Sequence, residues 1–299
     1  MDYTVVRNFP RGFREKRSRG IVSFAVQGNK KIRVREERKN RRIYMRRVIE
    51  RKGQKINGGR PIVCVPVMAE REEEILRQAK DFIGRGARML EWRLDFFEGL
   101  RDPKRIRRVL KDLKPLCENT LLLTTVRTRH QGGNAAVTEQ ELMDTYMLLA
   151  ESGAVDLIDV EFFELSQPAK VIWQIQQQDV LAVTSHHDFG ETPDYGVMTA
   201  LLEQMERGGA DLVKLAVMPR EASDVLELLR ATSDFYEEHE ETPVISMSMG
   251  HLGLVSRAVG EIFGSCVTFA AMEGASAPGQ PVAEDLEKVL DFFGKERQR

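Results

Sequence analysis

The sequence predicts an α/β protein, a closed (β/α)8 TIM barrel over residues 60–299 behind a basic N-terminal extension over residues 1–59. Three observations carry this reading. Eight short apolar, β-branched runs recur from residue 61 onward, and stretches with helical spacing separate them. The length of 299 residues suits one barrel of about 250 residues plus an extension. Finally, an open nucleotide-binding sheet would show a glycine-rich first strand-to-helix turn. Here that turn reads "PVMAERE", with neither GxGxxG nor a P-loop.

In chain order the runs are "PIVCVPVM" (61–68), "MLEWRLDFF" (89–97), "LLLTTVRT" (121–128), "DLIDVEFF" (156–163), "VLAVTSHHDF" (180–189), "DLVKLAVM" (211–218), "TPVISMSM" (242–249) and "SCVTFAAM" (265–272). Between them lie stretches such as "EREEEILRQAKDFIGRG", "TEQELMDTYMLLAESG", "YGVMTALLEQMERGG" and "AEDLEKVLDFFG". Several end in the glycine expected at a helix C-terminus. Strands alternating with helices build a parallel sheet with helices outside.

No window approaches the ~18 consecutive apolar residues of a membrane span. Cys64, Cys117 and Cys266 lie in or beside apolar segments without metal-ligand spacing, and read as reduced thiols of a cytoplasmic protein. The net charge of −1 conceals an asymmetry. Residues 1–60 hold 20 Lys/Arg against 5 Asp/Glu, leaving 25 against 41 for the rest.

That basic stretch has no sustained apolar period and lacks the apolar core of a secretory signal. It reads as an unstructured tail, or as sequence upstream of a start at Met45, with a polyanion-binding arm and a short strand pair or barrel cap as the other readings.

A barrel places its active site at the C-terminal ends of its strands. The polar residues that interrupt the apolar runs gather there. The second run holds Glu91, Arg93 and Asp95, which alternation puts on one face. Arg127 ends the third, Asp159 and Glu161 lie in the fourth, Ser185, His187 and Asp188 in the fifth, and Lys214 in the sixth. Arg257 follows the seventh run, and Ser276 and Gln280 lie in the loop after the eighth. Any one pair is explained by a structural salt bridge. As a set they suit a small hydroxylated carboxylate gripped by arginines.

Two readings of Lys214 are open. Desolvation and repulsion from Arg93, Arg127 and Arg257 would favour a neutral amine, able to attack a ketone and form an imine, with His187 carrying protons. Alternatively, Lys214 is a structural cation paired with Asp159 or Glu161. His186 turns away from His187 by alternation and reads as structural.

These pieces resemble type I 3-dehydroquinate dehydratases. The matching segments are "EWRLDFF" (91–97), "TTVRT" (124–128) with "GG" (132–133), "DLIDVE" (156–161), "SHHDFGETP" (185–193), "GADLVKLAVMP" (209–219), "ISMSMGHLGLVSRAVGEIFGS" (245–265) and "TFAAMEGASAPGQ" (268–280). The resemblance covers about residues 61–295. It implies a (β/α)8 barrel that dehydrates 3-dehydroquinate to 3-dehydroshikimate in aromatic amino acid biosynthesis, with no metal or organic cofactor and often as a homodimer. Carried over by motif, Lys214 forms the imine, and His187 moves the protons. Arg257, Ser276 and Gln280 hold the carboxylate side, Glu91, Arg93 and Arg127 hold the ring hydroxyls, and the "SAPGQ" loop closes as a lid.

The sequence departs from the family pattern R-[ST]-x-x-E-G-G at one place. It reads "RTRHQGG", so Gln131 stands where the family has the glutamate that supports the catalytic histidine. A glutamine can accept a hydrogen bond and fix the tautomer but cannot stabilise an imidazolium by charge. Gln131→Glu is therefore expected to move the acidic limb of the rate–pH profile upward. A class I aldolase would share the lysine but not the His187, Arg257 and lid combination. A nucleic-acid-binding protein would act through the basic arm.

Overall fold

The computed structural model describes residues 46–297 and three strands before them. The chain divides into two compact units, residues 1–45 and 46–299. In the first, β1 (Glu15–Ser18), β2 (Ile21–Ala25) and β3 (Lys31–Arg35) form an antiparallel sheet. The expectations of an unstructured, untranslated or polyanion-binding extension otherwise fall outside the described residues.

The second unit opens with a hairpin, β4 (Ile49–Arg51) and β5 (Gln54–Ile56). Lys52 and Gly53 form its two-residue turn with φ of 50° and 72°, the left-handed pair of a type I′ turn. Ile56 is fully buried with the apolar residues of the barrel interior. Around it, Arg47 pairs with Asp211, Arg51 with Asp179 and Lys52 with Asp156, at 2.9, 2.7 and 2.6 Å. Those three aspartates lie at or just before the N-terminal ends of their strands, so the hairpin plugs the bottom of the barrel. This hairpin lies within the stretch expected to be the extension, residues 1–59, and belongs to the unit that begins at residue 46. The hairpin is charge-rich but buries Ile56 and half-buries Ile49.

Eight parallel strands follow: β6 (Ile62–Val67), β7 (Met89–Arg93), β8 (Leu121–Thr125), β9 (Leu157–Glu161), β10 (Leu181–Asp188), β11 (Leu212–Val217), β12 (Val244–Ser248) and β13 (Val267–Phe269). Each lies within one of the predicted runs. Their order is β12-β11-β10-β9-β8-β7-β6-β13, and a parallel bridge between Val244 and Ser265 closes the ring. The helices between them are α1 (Glu72–Gly84), α2 (Pro103–Leu116), α3 (Glu139–Ala150), α4 (Pro168–Gln176), α5 (Tyr195–Arg207), α6 (Ala222–Glu238), α7 (Leu254–Val259) and α8 (Ala283–Arg297).

Local chemistry fixes the helix starts. Asp102 accepts from the backbone N–H groups of Lys104 and Arg105, with Pro103 in the first turn of α2. Thr138 and Glu141 form a reciprocal capping box on α3.

Alternation sorts every strand into two cores. Leu90, Trp92, Leu122, Ile158 and Val160 face the helices. Met89, Leu121, Leu123, Leu157, Val183, Leu212 and Ile245 fill the barrel interior. The polar residues of the candidate site share the inward phase: Glu91 and Arg93 follow Met89, and Asp159 and Glu161 follow Leu157. Lys214 follows Leu212. The apolar lower interior therefore gives way to a polar upper one, at the end where β-to-α loops begin.

Candidate active site

One layer of the interior holds the centre of the site. Glu91, Asp159, Lys214 and Phe269 come from β7, β9, β11 and β13, every second strand. This is how a barrel of this shear stacks inward side chains into layers of four. Lys214 Nζ lies 2.8 Å from Asp159 Oδ2, 3.8 Å from Glu91 Oε1 and 4.4 Å from the Phe269 ring centroid. Lys214, Glu91 and Asp159 are all buried. The closest neighbours of the amine are therefore carboxylates rather than the arginines expected from sequence. The pairing anticipated with Asp159 is present, and Glu161 pairs elsewhere.

Above this layer Arg127 ties the carboxylates together. Its guanidinium donates to Asp159 Oδ2 at 2.8 Å, to Glu161 Oε1 at 2.7 Å and to Ser185 Oγ at 3.2 Å. Ser185 Oγ donates to Asp159 Oδ1 at 2.5 Å, and Thr125 Oγ1 to Glu91 Oε1 at 2.8 Å. Burial pushes the Asp159 carboxyl up, but Arg127 and then Lys214 outweigh it and hold it well below the usual carboxylate range. Burial raises the Glu161 carboxyl, and Arg127 only partly offsets that. Arg93 is clamped in a two-pronged pair by Asp95 at 2.7 and 2.8 Å, and its remaining nitrogen donates to Ser276 O at 3.4 Å. Asp95 holds Arg93 from two residues along the same segment, and Ser185 accepts from Arg127 across the ring, a role invisible in the sequence because it depends on which strands meet.

His187 stands one pleat above this level, on β10 beside β11. Its Nδ1 lies 3.1 Å from Gln131 Oε1, which also accepts the His187 backbone N–H at 3.0 Å. Gln131 is buried behind the histidine rather than lining the cavity. An acceptor at Nδ1 places the proton there and leaves Nε2 as a free base. Burial, then Arg127 and Lys214, hold His187 well below the ordinary imidazole range, so it is neutral at neutral pH. His186 faces the opposite side and packs edge-on against Phe163 at 5.3 Å. Its Nδ1 has no hydrogen-bond partner among the described residues, so packing rather than hydrogen bonding holds it.

Arg257, on α7, is the exception among the cations. It is 1% exposed, yet no carboxylate among the described residues forms an ion pair with it. Its guanidinium meets only Met247 Sδ at 3.5 Å and Pro278 O at 3.4 Å, and Nε is unpartnered. Burial lowers it to about 10. A buried, unpaired group of this kind is costly, and a ligand anion would offset that cost.

The loop after β13 arches over this corner. Gln280 accepts the Ser276 backbone N–H at 2.7 Å and donates to Ser276 Oγ at 2.8 Å. Gly279, at φ 74°, lets Pro278 O reach the Gly250 backbone N–H at 3.0 Å. A Cβ there would lie 2.1 Å from the Gly250 carbonyl oxygen.

Eight of the nine predicted residues, all but Gln131, line one cavity. Met247, Met249, Ala216 and Phe269 give it an apolar wall. Phe269 had no signal in the sequence beyond its place in an apolar run. Among the described residues no cluster of three or more His, Cys, Asp or Glu is arranged to hold a metal ion.

Comparison with known proteins bears on this geometry directly. The family model described as type I 3-dehydroquinase matches residues 63–297. A 3-dehydroquinate dehydratase of Aromatoleum aromaticum is 39% identical over 254 residues, covering 83% of this chain and 96% of that protein. The structure of 3-dehydroquinate dehydratase from Geobacillus kaustophilus superposes with a TM-score of 0.81 at 35% identity, covering 83% of this chain and 97% of the other. The type I enzyme of Clostridium difficile, solved with covalently modified comenic acid, gives 0.81 at 36% identity, covering 84% and 100%. A match of this extent, on a barrel with a buried lysine at its mouth, leaves one conclusion: the chain belongs to the type I 3-dehydroquinase family.

Proposed function

We propose that this chain dehydrates 3-dehydroquinate to 3-dehydroshikimate through an imine on Lys214. The observation that carries the residue assignment is the pairing, across one cavity, of a buried lysine amine with a buried arginine that has no anionic partner. A keto acid satisfies both at once.

The substrate carboxylate enters against Arg257, and Ser276 and Gln280 close behind it. Arg93 and Glu91 address the ring hydroxyls. Arg127 has most of its donors committed to Asp159, Glu161 and Ser185, so its larger part is to hold the carboxylates in register. Lys214 passes a proton to His187 and attacks the ketone carbon, and His187 returns that proton to the carbinolamine hydroxyl. The carbinolamine loses water to give the imine. In its protonated form this imine draws electrons from the neighbouring carbon.

His187, neutral and with Nε2 free, removes a proton from that carbon. The same proton is then delivered to the departing hydroxyl, so the histidine ends the elimination neutral again. Water returns to the imine with His187 shuttling protons, which frees the product and restores the amine. The loop at residues 273–281 keeps bulk water from the imine meanwhile.

The direct test is incubation with 3-dehydroquinate, followed by the ultraviolet absorbance of the conjugated enone product. Its absence would remove the assignment. Arg257→Leu should raise KM by about 10- to 100-fold, given about 1.5–3 kcal/mol for a hydrogen bond to a charged group. The same change should raise the melting temperature of the ligand-free protein, because it removes an unpaired buried cation. A fall in both would contradict the role.

The same reading makes the enzyme cytoplasmic and homodimeric. No helix among the described residues is long and apolar enough to cross a membrane. Val255 on α7 and Phe292 on α8 are exposed apolar side chains on two packed helices, a surface suited to a second copy. Light scattering decides the assembly.

A further inference from the structure

Behind His187 runs a chain of contacts that ends at the surface. Gln131 Oε1 accepts from His187, and Gln131 Nε2 donates to Glu164 Oε1 at 3.4 Å. Glu164 Oε2 lies 3.1 Å from Nδ1 of the exposed His130. The Glu164 side chain is 25% exposed. It lies on the short turn after β9, Phe162–Glu164, and faces the turn Arg129–Gln131 after β8. We infer that Glu164 is a positioning residue for His187, supplying through the Gln131 amide the negative charge that position 131 itself lacks. This deepens the function proposed above and rests on it.

The amide has two ends with different chemistry, and each is committed. Its oxygen is held by the backbone N–H of His187 and by Nδ1. Its NH2 group faces a carboxylate, so the orientation that offers oxygen to the imidazole is fixed from both sides. A carboxylate on the NH2 end also polarises the amide and makes its oxygen a stronger acceptor, since hydrogen bonds in series reinforce one another. When His187 takes the substrate proton it becomes an imidazolium facing Arg127, Lys214 and Arg93, with Asp159 the main opposing charge. Any added negative charge on its far side lowers the cost of that state. His130, His186, Arg129, Arg101, Glu139 and Glu141 are the other titratable or charged groups around Glu164.

The two carboxylate arrangements are interchangeable but not additive. A glutamate at 131 would bring its oxygen to about the 3.4 Å that now separates Gln131 Nε2 from Glu164. Two facing carboxylates share a proton rather than both ionise. Exchanging both residues restores a carboxylate–amide contact with the charge next to His187.

The test is the cycle of wild type, Glu164→Gln, Gln131→Glu and the double exchange, assayed with 3-dehydroquinate across pH. Glu164→Gln alone should lower kcat roughly tenfold, a part of the ~10²–10⁴-fold that general acid–base catalysis supplies. It should also move the acidic limb of kcat/KM to lower pH. In the Gln131→Glu background the same change should raise kcat or leave it unchanged. His187 should titrate at lower pH in Glu164→Gln by NMR of histidine-labelled protein, a readout independent of turnover. Equal losses in both backgrounds, or an unmoved limb and NMR titration, would overturn the inference. Failure of the wild type to convert 3-dehydroquinate at all would instead remove the functional reading, while the NMR comparison still judges Glu164.

Discussion

Borohydride added to the protein with 3-dehydroquinate should fix the ligand to one peptide, the one containing Lys214, and abolish activity in proportion to labelling. Lys214→Ala should take no label and lose activity on the order of 10⁴-fold or more, about 5 kcal/mol of transition-state stabilisation. The expectation follows from the layer of Glu91, Asp159, Lys214 and Phe269. The amine lines the cavity, and nothing in that layer replaces it as an electron sink. The variant should still fold. Removing the lysine leaves Asp159 paired with Arg127 at 2.8 Å, while Glu91 keeps the Thr125 hydroxyl at 2.8 Å. Label on another lysine, or full activity in Lys214→Ala, would refute the imine assignment.

How much of this was legible in the sequence depended on whether a feature is periodic or arises from register. The eight strands were legible because each is a β-branched run whose two faces both pack, one on helices and one on the interior. The inward phase was legible too: Glu91 and Arg93 share parity with Met89, and Lys214 with Leu212. The hairpin over Ile49–Ile56 was anticipated only as one of several readings of a charged stretch, a short strand pair, although "IERKGQKI" alternates around a Lys-Gly turn that favours a type I′ hairpin. The partner of Lys214 was only half legible. In the sheet Lys214 pairs with Ser185, and Ser185 with Glu161, so adjacency points to Glu161. The stagger of the closed barrel instead brings Asp159, from two strands away, into the same layer as the amine. The Glu164 contact was not legible at all, since it joins two loops that meet only because β8 and β9 are neighbours.

Asp159→Asn should be the most destabilising polar substitution in the barrel. This carboxylate accepts from Lys214, Arg127 and Ser185 at once. Removing its charge leaves two buried cations sharing only Glu91, at 3.8 Å from the amine, and Glu161. Breaking a buried pair from one side costs about 3–5 kcal/mol. In a barrel of this size that lowers the melting temperature by roughly 10 °C. The effect depends on pH with a definite sign. The folded-state carboxyl is held below its unfolded value, so its contribution is complete above the unfolded pKa of about 3.9 and fades as pH falls below it. Wild type and Asp159→Asn should therefore differ most near neutrality and converge under strong acid. Replacing both partners, Asp159→Leu with Lys214→Met, should recover much of the lost stability, because Arg127 keeps Glu161. If calorimetry found Asp159→Asn no less stable than Lys214→Met, the network would be contributing symmetrically, and the central place given to Asp159 would be wrong.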